Sequence, residues 1–217
     1  VQFFSMTKPI TSIATMMLYE KGLFQLRDPV HKFIPAFKQQ GVFRMGNYPQ
    51  FLTDRPTRPM RVKDLLSHTS GLTYGFMHRT PVDAAYRKAG LEGVNSSGNL
   101  EETIEKIASL PLEFSPGERW NYSVSTDVLG VAVERLSGLK LGDYFERHIF
   151  APLGMADTGL DAAIDLAERL GDAWAYTPGG APKVIDSAER SRMLEPGEFH
   201  SGGGGLISTI GDYHRFC

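Results

Sequence analysis

The chain has 217 residues, of which 41% are hydrophobic and 22% are charged, and its formal net charge is −2 at pH 7. These values indicate a soluble globular protein that is large enough to bury a core in a single domain. Its Lys and Arg residues are scattered rather than gathered on a basic face, which argues against nucleic acid as a partner. It contains no apolar run of about 18 residues, so no membrane span is expected.

The first predicted helix runs from about Ser5 to Lys21. Its apolar residues recur at a spacing that places them on one helical face, namely Ile10, Ile13, Ala14, Met17 and Leu18. Gly22 follows directly and is a good C-terminal stop. We therefore expect an amphipathic helix, buried along this face, that begins near Ser5.

The central part of the chain reads as loops and short helices. Residues 38 to 60 are polar and contain three prolines, which predicts an ordered surface loop. The stretch "RVKDLLSHTSGL", residues 61 to 72, predicts a short helix that ends near His68 and a turn at Gly71. Further helices are predicted at about 81 to 89, 99 to 109 with Asn99 as N-cap, 126 to 136 closed by Gly138, and 141 to 150.

The two ends of the chain read as incomplete. The last apolar positions have helical spacing without a closing cap, namely Ile207, Ile210, Tyr213, Phe216 and Cys217. Few segments have the pattern of strands. We therefore expect that the domain continues beyond both ends of these residues, and that little structure upstream of Ser5 supports it.

The candidate chemistry lies at the start of the first helix. A serine hydroxyl is a weak nucleophile that needs an activating partner, and Lys8 is one helical turn from Ser5. Backbone N–H groups and the positive end of the helix dipole at this position favour a developing oxyanion. The same residues also fit a purely structural reading, as the polar start of a buried helix.

A second Ser-x-x-Lys occurs in this chain, as Ser137-Gly138-Leu139-Lys140. Short motifs of this kind arise often by chance. Because Gly138 is placed where a helix ends, Ser137 and Lys140 are not expected to share a helical face. The position at a helix start therefore favours Ser5 over Ser137.

Five ordered segments give the chain a more specific signature than the tetrapeptide does. They are "SMTKPITSIATMMLYEKG", "RVKDLLSHTSGL", "PGERWNYSVSTDVLGVAVERLSG", "FAPLGMADTGL" and "SGGGGLISTIGDYHRF". Together they resemble the serine hydrolases related to class C β-lactamases, and most of all the family VIII carboxylesterases. The resemblance implies an α+β fold of the β-lactamase and transpeptidase type, of which residues 1 to 217 form one incomplete domain, mostly the helical part.

The resemblance also implies the roles of three residues. Ser5 takes the place of the family nucleophile, Lys8 that of its activating partner, and Tyr122 that of the tyrosine in the family motif Tyr-Ala/Ser-Asn. A phenol is a poor base at neutral pH, but an adjacent ammonium favours its anion. Whether Tyr122 or Lys8 is the base stays open, because two such groups titrate as a coupled pair.

The second motif departs from the β-lactamase pattern at its third residue, where Val124 replaces asparagine. An asparagine amide can hydrogen-bond the acylamino group of a substrate, and valine cannot. This favours a small carboxylic ester as substrate and leaves β-lactam or D-amino-acid peptide hydrolysis as the alternative. A catalytically inactive fragment or binding remnant is the alternative of another class.

The third family motif, Lys/His/Trp-x-Gly on a strand beside the active site, has no match among the 217 residues. In the family it follows the glycine-rich segment represented here by 202 to 205, so it is expected beyond Cys217. That strand also supplies an oxyanion N–H, which leaves the Ser5 N–H as the contribution of this chain. The bacterial character of the family implies a cytoplasmic or periplasmic protein.

The remaining patterns predict no cofactor and no metal. The four glycines 202 to 205 lack the Gly-Lys-Ser/Thr ending of a phosphate loop, and close backbone approach beside the active-site cleft is the favoured interpretation. The histidines show no paired ligand spacing. We interpret His68 as a structural residue that complements a helix C-terminus or anchors a turn.

Overall fold

The computed structural model describes residues 1–91, 100–160, 168–176, 179–194 and 200–217. Two small antiparallel sheets accompany the helices in these ranges, β1 (Val42–Asn47) with β2 (Gln50–Asp54) and β3 (Ala173–Ala175) with β4 (Lys183–Asp186). The helices are α1 (Thr7–Glu20), α2 (Val62–Leu66), α3 (Pro81–Lys88), α4 (Leu100–Ser109), α5 (Ser125–Ser137), α6 (Leu141–Phe145), α7 (Ala151–Leu153) and α8 (Ile210–Phe216). The predicted class, a mostly helical portion of an α+β fold, is confirmed.

Helix α5 forms the centre of the core. All of its residues from Ser125 to Val133 are buried, and α1, α2 and α6 pack against it. The helix ends as predicted at Gly138, whose φ of 73° is in the left-handed region that glycine adopts without strain. A helix buried on every side cannot be amphipathic, so any polar group on it requires an internal partner.

The buried face of α1 differs from the predicted one. Ile13 is 47% exposed, whereas Thr7, Thr11 and Thr15 are buried together with Ile10, Ala14 and Leu18. Threonine can be buried here because its hydroxyl finds a backbone acceptor. The Thr11 hydroxyl donates to the carbonyl of Gly202 at 2.7 Å, so this face of α1 contacts the glycine-rich segment.

Both ends of α1 are set by the backbone. A 3₁₀ turn, Phe4–Met6, precedes the helix and contains Ser5. At the other end Gly22 has a φ of 73°, and the Leu23 N–H donates to the carbonyl of Leu18 at 3.2 Å. This is the arrangement in which a glycine closes a helix, so the predicted stop is confirmed.

Residues 38 to 60 contain a β-hairpin, so the prediction of a loop was wrong. Strands β1 and β2 pair in antiparallel register with an irregularity between Phe43 and Met45. Most of their side chains are exposed, which removes the alternation of apolar and polar residues that marks a half-buried strand. The hairpin is fixed to the body by a 2.8 Å hydrogen bond from the Phe43 N–H to the carbonyl of Leu112.

The residues before Ser5 are tied to the far end of the chain. The Phe3 N–H donates to the carbonyl of Leu206 at 2.8 Å, and the Ser208 N–H donates to the carbonyl of Val1 at 3.1 Å. The expectation that little upstream structure supports Ser5 was therefore wrong. Contacts between residues this far apart in the chain carry no local sequence signal.

The remaining helix predictions are largely confirmed. Helices α2, α3 and α4 lie where they were expected, and Asn99 is outside the described residues. Residues 141 to 153 form α6, a π-helical turn (Glu146–Phe150) and α7 in succession. Helix α8 begins only at Ile210, because the Thr209 hydroxyl caps it by accepting from the Asp212 N–H at 3.2 Å, so Ile207 was wrongly assigned to it. None of the helices in the described ranges is long and apolar enough to cross a membrane.

Candidate active site

Ser5 lies on an exposed turn between an anchored segment and a helix. Phe4 has a φ of 44°, and the turn that follows is closed by a 2.9 Å hydrogen bond from the Met6 N–H to the carbonyl of Phe3. Tyr213 of α8 also donates to the carbonyl of Met6 at 3.3 Å. The serine hydroxyl is therefore accessible to solvent on a backbone that is fixed from both sides.

Three predicted residues meet at one oxygen. The Ser5 Oγ forms a short hydrogen bond with the hydroxyl of Tyr122, and the Nζ of Lys8 lies 3.2 Å from the same Oγ. Lys8 reaches it because the two residues are three positions apart at the start of a helix. Tyr122 reaches it through the tertiary fold, across 117 residues of sequence.

Tyr122 is placed by the extended segment that precedes α5. The backbone N–H of Asn121 donates to the carbonyl of His68 at 2.9 Å, and its side-chain amide donates to the carbonyl of Leu72 at 2.9 Å. The Tyr122 ring then packs against the rings of His68 at 5.0 Å and Tyr74 at 5.2 Å between centroids. These contacts hold the phenol oxygen toward Ser5.

The Lys8 side chain is surrounded by groups that attract a cation. Its Nζ donates to the carbonyl of Gly203 at 2.6 Å. It also lies 4.7 Å from the ring centroid of Tyr122 and 5.4 Å from that of Tyr74. The Lys8 side chain is therefore held between a backbone carbonyl and two aromatic faces, beside Ser5.

The glycine-rich segment lies against this site, as the favoured interpretation predicted. A Cβ at Gly202 would lie 2.9 Å from the carbonyl oxygen of Thr126, and a Cβ at Gly203 would overlap the Asp127 carboxylate and lie 2.9 Å from the Tyr74 hydroxyl. Glycine is therefore required by the close approach of α5 to this backbone.

Asp127 was not identified from the sequence, and its carboxylate contacts two residues that surround Lys8, Gly203 and Tyr74. Its carboxylate is buried and accepts hydrogen bonds from the hydroxyl of Ser201, from the N–H of Gly203 at 3.1 Å and from the hydroxyl of Tyr74 at 3.3 Å. Burial raises the pKa of Asp127, while these donors and the charge of Lys8 act in the opposite direction. An aspartate immediately before the apolar run "VLGVAV" was the available signal, because a carboxylate in a buried helix must be partnered.

His68 contacts the site more directly than its interpretation as a structural residue implied. Its ring packs on Tyr122, and its Nδ1 lies 3.3 Å from the Oγ of Ser123. Burial, and after it the charge of Lys8, lowers the pKa of His68 to about 4. A neutral imidazole does not complement a helix dipole, so that part of the interpretation was wrong. The residue does occupy a turn, with a φ of 55°.

The comparisons with known proteins place the chain in a family. Residues 1–217 match the family model described as Beta-lactamase. The chain belongs to the β-lactamase family. The superfamily to which this family belongs contains serine hydrolases and acyltransferases. The resemblance to β-lactamase-related proteins that the five sequence segments indicated is confirmed.

Two curated relatives and one solved structure illustrate the place of the chain within the β-lactamase family. Protein Rv1367c of Mycobacterium tuberculosis is 34% identical over 212 residues, which are 98% of this chain and 51% of that protein. Esterase EstB of Burkholderia gladioli is 30% identical over 237 residues, covering 97% of this chain and 54% of EstB. The structure of EstCE1, described as a hydrolase with promiscuous acyltransferase activity, superposes with a TM-score of 0.81 at 26% identity, over 99% of this chain and 57% of that one.

The chain spans about half the length of the curated relatives it matches. Within that half lie Ser5 to Lys8 and Tyr122 to Val124, the two stretches in which the sequence predicted the first two family motifs. Val124 is only 2% exposed and belongs to the hydrophobic core. Its side chain therefore stabilises the start of α5 and offers no polar group at the site.

The second Ser-x-x-Lys is arranged differently from the first. The Oγ of Ser137 accepts a hydrogen bond from the N–H of Leu139 at 3.2 Å, in the turn that ends α5. Lys140 is the residue before α6, on the other side of this turn. In the described part of the chain, no group of three or more His, Cys, Asp or Glu side chains could hold a metal ion.

Proposed function

We propose that the protein hydrolyses carboxylic esters through a covalent acyl-Ser5 intermediate, with Lys8 and Tyr122 as the groups that activate the serine. The observation that carries this proposal is the convergence of the Tyr122 hydroxyl and the Lys8 Nζ on the exposed Oγ of Ser5. A serine next to a proton acceptor and a cation has what a nucleophile for acyl transfer requires.

The proposed reaction uses only the ester, water and these three side chains. The Oγ of Ser5 bonds to the ester carbonyl carbon while its proton passes to the Tyr122–Lys8 pair, and the carbonyl π electrons move to oxygen. When the tetrahedral intermediate collapses, the C–O bond to the alcohol breaks and the alcohol oxygen takes that proton. Water then attacks the acyl-serine, gives one proton to the same pair, and releases the acid as Ser5 recovers its proton.

The helix start supports this chemistry electrostatically. Ser5 lies at the N-terminal end of α1, where the partial positive charge of the helix favours the oxyanion of the tetrahedral intermediate. We expect the Ser5 N–H to be the donor that this chain contributes to the oxyanion.

Two observations favour esters as the substrate class. The apolar, buried Val124 leaves no amide for the acylamino group of a β-lactam or peptide. The exposed rings of Trp120 and Phe76 flank the site, since Trp120 packs on Tyr122 and Phe76 stacks on Tyr74. The name of EstB agrees with this class.

Acyl transfer to an alcohol is a second candidate function. Ser5 is exposed, so an alcohol has the same access to an acyl-serine as water. EstCE1 is described as having both activities. Product analysis with a short-chain aryl ester, with and without added alcohol, separates the two reactions.

Labelling with a fluorophosphonate tests the proposal. We expect the wild-type protein to form one covalent adduct, which peptide mass spectrometry locates on Ser5. Ser5→Ala should lose both the adduct and ester turnover. The matched control is Ser137→Ala, which removes the serine of the second tetrapeptide and should label at the wild-type rate. A folded protein that takes no label, or labels equally well as Ser5→Ala, supports the non-catalytic alternative.

A further inference from the structure

The buried carboxylate of Asp127 and the amine of Lys8 are linked through a single glycine. The N–H of Gly203 donates to Asp127 at 3.1 Å, and the carbonyl of the same residue accepts from Lys8 at 2.6 Å. Glycine is required at this point because a Cβ would overlap the carboxylate. Any movement of Asp127 is therefore transmitted to the acceptor that positions Lys8.

A second link runs through Tyr74. Its hydroxyl donates to Asp127 at 3.3 Å, and the centroid of its ring lies 5.4 Å from the Lys8 Nζ. Tyr74 is 4% exposed, so its ring cannot move away without opening the core. Asp127 thus contacts both the backbone and the aromatic ring that define the position of Lys8.

The donor set of Asp127 fits the ionised carboxylate. The Ser201 hydroxyl, the Gly203 N–H and the Tyr74 hydroxyl can all donate to it, and a carboxylate accepts all three without carrying a proton. Burial raises the pKa of Asp127, and the charge of Lys8 acts in the opposite direction together with the donors. The other titratable groups around Lys8 are Tyr74, Tyr122 and His68, and the last is uncharged at neutral pH.

We propose that Asp127 is a positioning residue that holds the Nζ of Lys8, through Gly203 and Tyr74, beside the Oγ of Ser5. This rests on the proposed function. A shift of Asp127 would therefore displace Lys8 from Ser5 and lower the reactivity of the serine.

The test is Asp127→Asn, which keeps the shape and removes the charge. The measured quantity is the second-order rate constant for fluorophosphonate labelling of Ser5 across the pH range, with the fold monitored by circular dichroism. We expect the maximal rate to fall by about 10-fold to 100-fold, the effect of a small displacement of a reacting group. We also expect the acidic limb that protonation of Asp127 gives the wild-type profile to be absent, because asparagine has no carboxylate to protonate.

The matched control is Asp212→Asn. Asp212 is also a buried aspartate in the first turn of a helix, but it accepts from Asp157 and Thr158 rather than from the site. Its pH profile should coincide with that of the wild type. A uniform loss of rate in Asp127→Asn that leaves the acidic limb as in the wild type would mean a structural role only and would overturn the proposal, as would a wild-type profile.

A second variant, Tyr74→Phe combined with Ser201→Ala, keeps the charge and removes two of the three donors. A carboxyl that has lost donors holds its proton to higher pH, so we expect the acidic limb to move to higher pH. An unchanged acidic limb overturns the proposal even where Asp127→Asn does not fold. Failure of the proposed function is a separate outcome, because the wild type would then take no label or Ser5→Ala would label like the wild type, whatever Asp127 does.

Discussion

The Nζ of Lys8 donates a 2.6 Å hydrogen bond to the carbonyl of Gly203, a residue 195 positions later in the chain. This bond connects the first turn of α1 to the glycine-rich segment, and it lies next to the oxygen of Ser5. The position of the lysine therefore depends on a backbone that α1 itself does not contain. Substitutions at these contacts, and at the buried groups that stabilise the fold, should therefore change the labelling of Ser5, ester turnover or the free energy of unfolding.

Gly203→Ala should slow the labelling of Ser5. The new Cβ overlaps the Asp127 carboxylate and lies 2.9 Å from the Tyr74 hydroxyl, so the segment must shift and carry the acceptor of Lys8 with it. We expect a loss of about 10-fold to 100-fold in the fluorophosphonate labelling rate and about 1–3 kcal/mol of unfolding free energy. Gly211→Ala is the control, because its nearest atom would be 3.9 Å away. Labelling of Gly203→Ala at the wild-type rate would contradict the prediction.

Tyr122→Phe should remove the hydroxyl that contacts Ser5 while keeping the ring. The contacts of the ring with His68 and Tyr74 remain, but the hydrogen bond to Ser5 is lost. We expect ester turnover to fall by about 10²-fold to 10⁴-fold, the usual contribution of general acid–base catalysis. If turnover persists within a few fold of the wild type, Tyr122 is a packing residue.

Tyr144→Phe is the matched control for that variant. The Tyr144 hydroxyl is buried and has no hydrogen-bond partner among the described residues. Tyr144 lies in α6 and is not one of the three site residues. Removing a buried unpaired hydroxyl should leave turnover unchanged and raise the unfolding free energy by about 1–3 kcal/mol. Urea denaturation measures this change.

His68 should make stability depend on pH. Its pKa is about 4 in the folded protein against an ordinary 6.5, so the unfolded chain binds more protons between these values. The contribution is fully present above about pH 6.5 and is lost as the pH falls from there toward 4. Urea denaturation at about pH 5 and about pH 8 should therefore show a larger loss for the wild type than for His68→Asn. Asparagine tolerates the left-handed backbone at this position.

His214→Asn is the control for the pH experiment. His214 is exposed on α8, so its removal should leave the acid sensitivity of stability as in the wild type. Equal losses in wild type and His68→Asn would show that the half-buried imidazole of His68 does not govern acid unfolding.

Arg58→Ala should destabilise the protein strongly. The Asp64 side chain is 2% exposed and lies 2.6 Å from the Arg58 guanidinium. Removing one partner of a buried pair leaves a charge uncompensated, which costs about 3–5 kcal/mol. The exposed pair of Arg135 with Glu101, whose side chain is 65% exposed, provides the comparison: Arg135→Ala should cost no more than about 1 kcal/mol. Similar losses in the two variants of the chain would refute the distinction.

The sequence by itself determined the local features of this protein. The spacing of apolar residues and the glycines Gly22 and Gly138 set where α1 and α5 lie and end, because these are properties of successive residues. The three-residue spacing of Ser5 and Lys8 likewise predicts their proximity at a helix start. The five ordered segments carry the family resemblance for the same reason, since each is a run of neighbouring residues.

Only the tertiary structure decided the surroundings of the serine. It placed Tyr122 next to Ser5. It packed α1 against the glycine-rich segment through a buried threonine rather than through Ile13. It also placed Asp127 against Gly203, the residue whose carbonyl binds Lys8. It also formed a hairpin within residues 38 to 60, where the sequence predicted a loop, and this hairpin is hydrogen-bonded to Leu112. The physical reason is that a hydrogen bond or close contact between residues far apart in the chain, or a strand whose side chains are exposed, leaves no periodicity in the sequence.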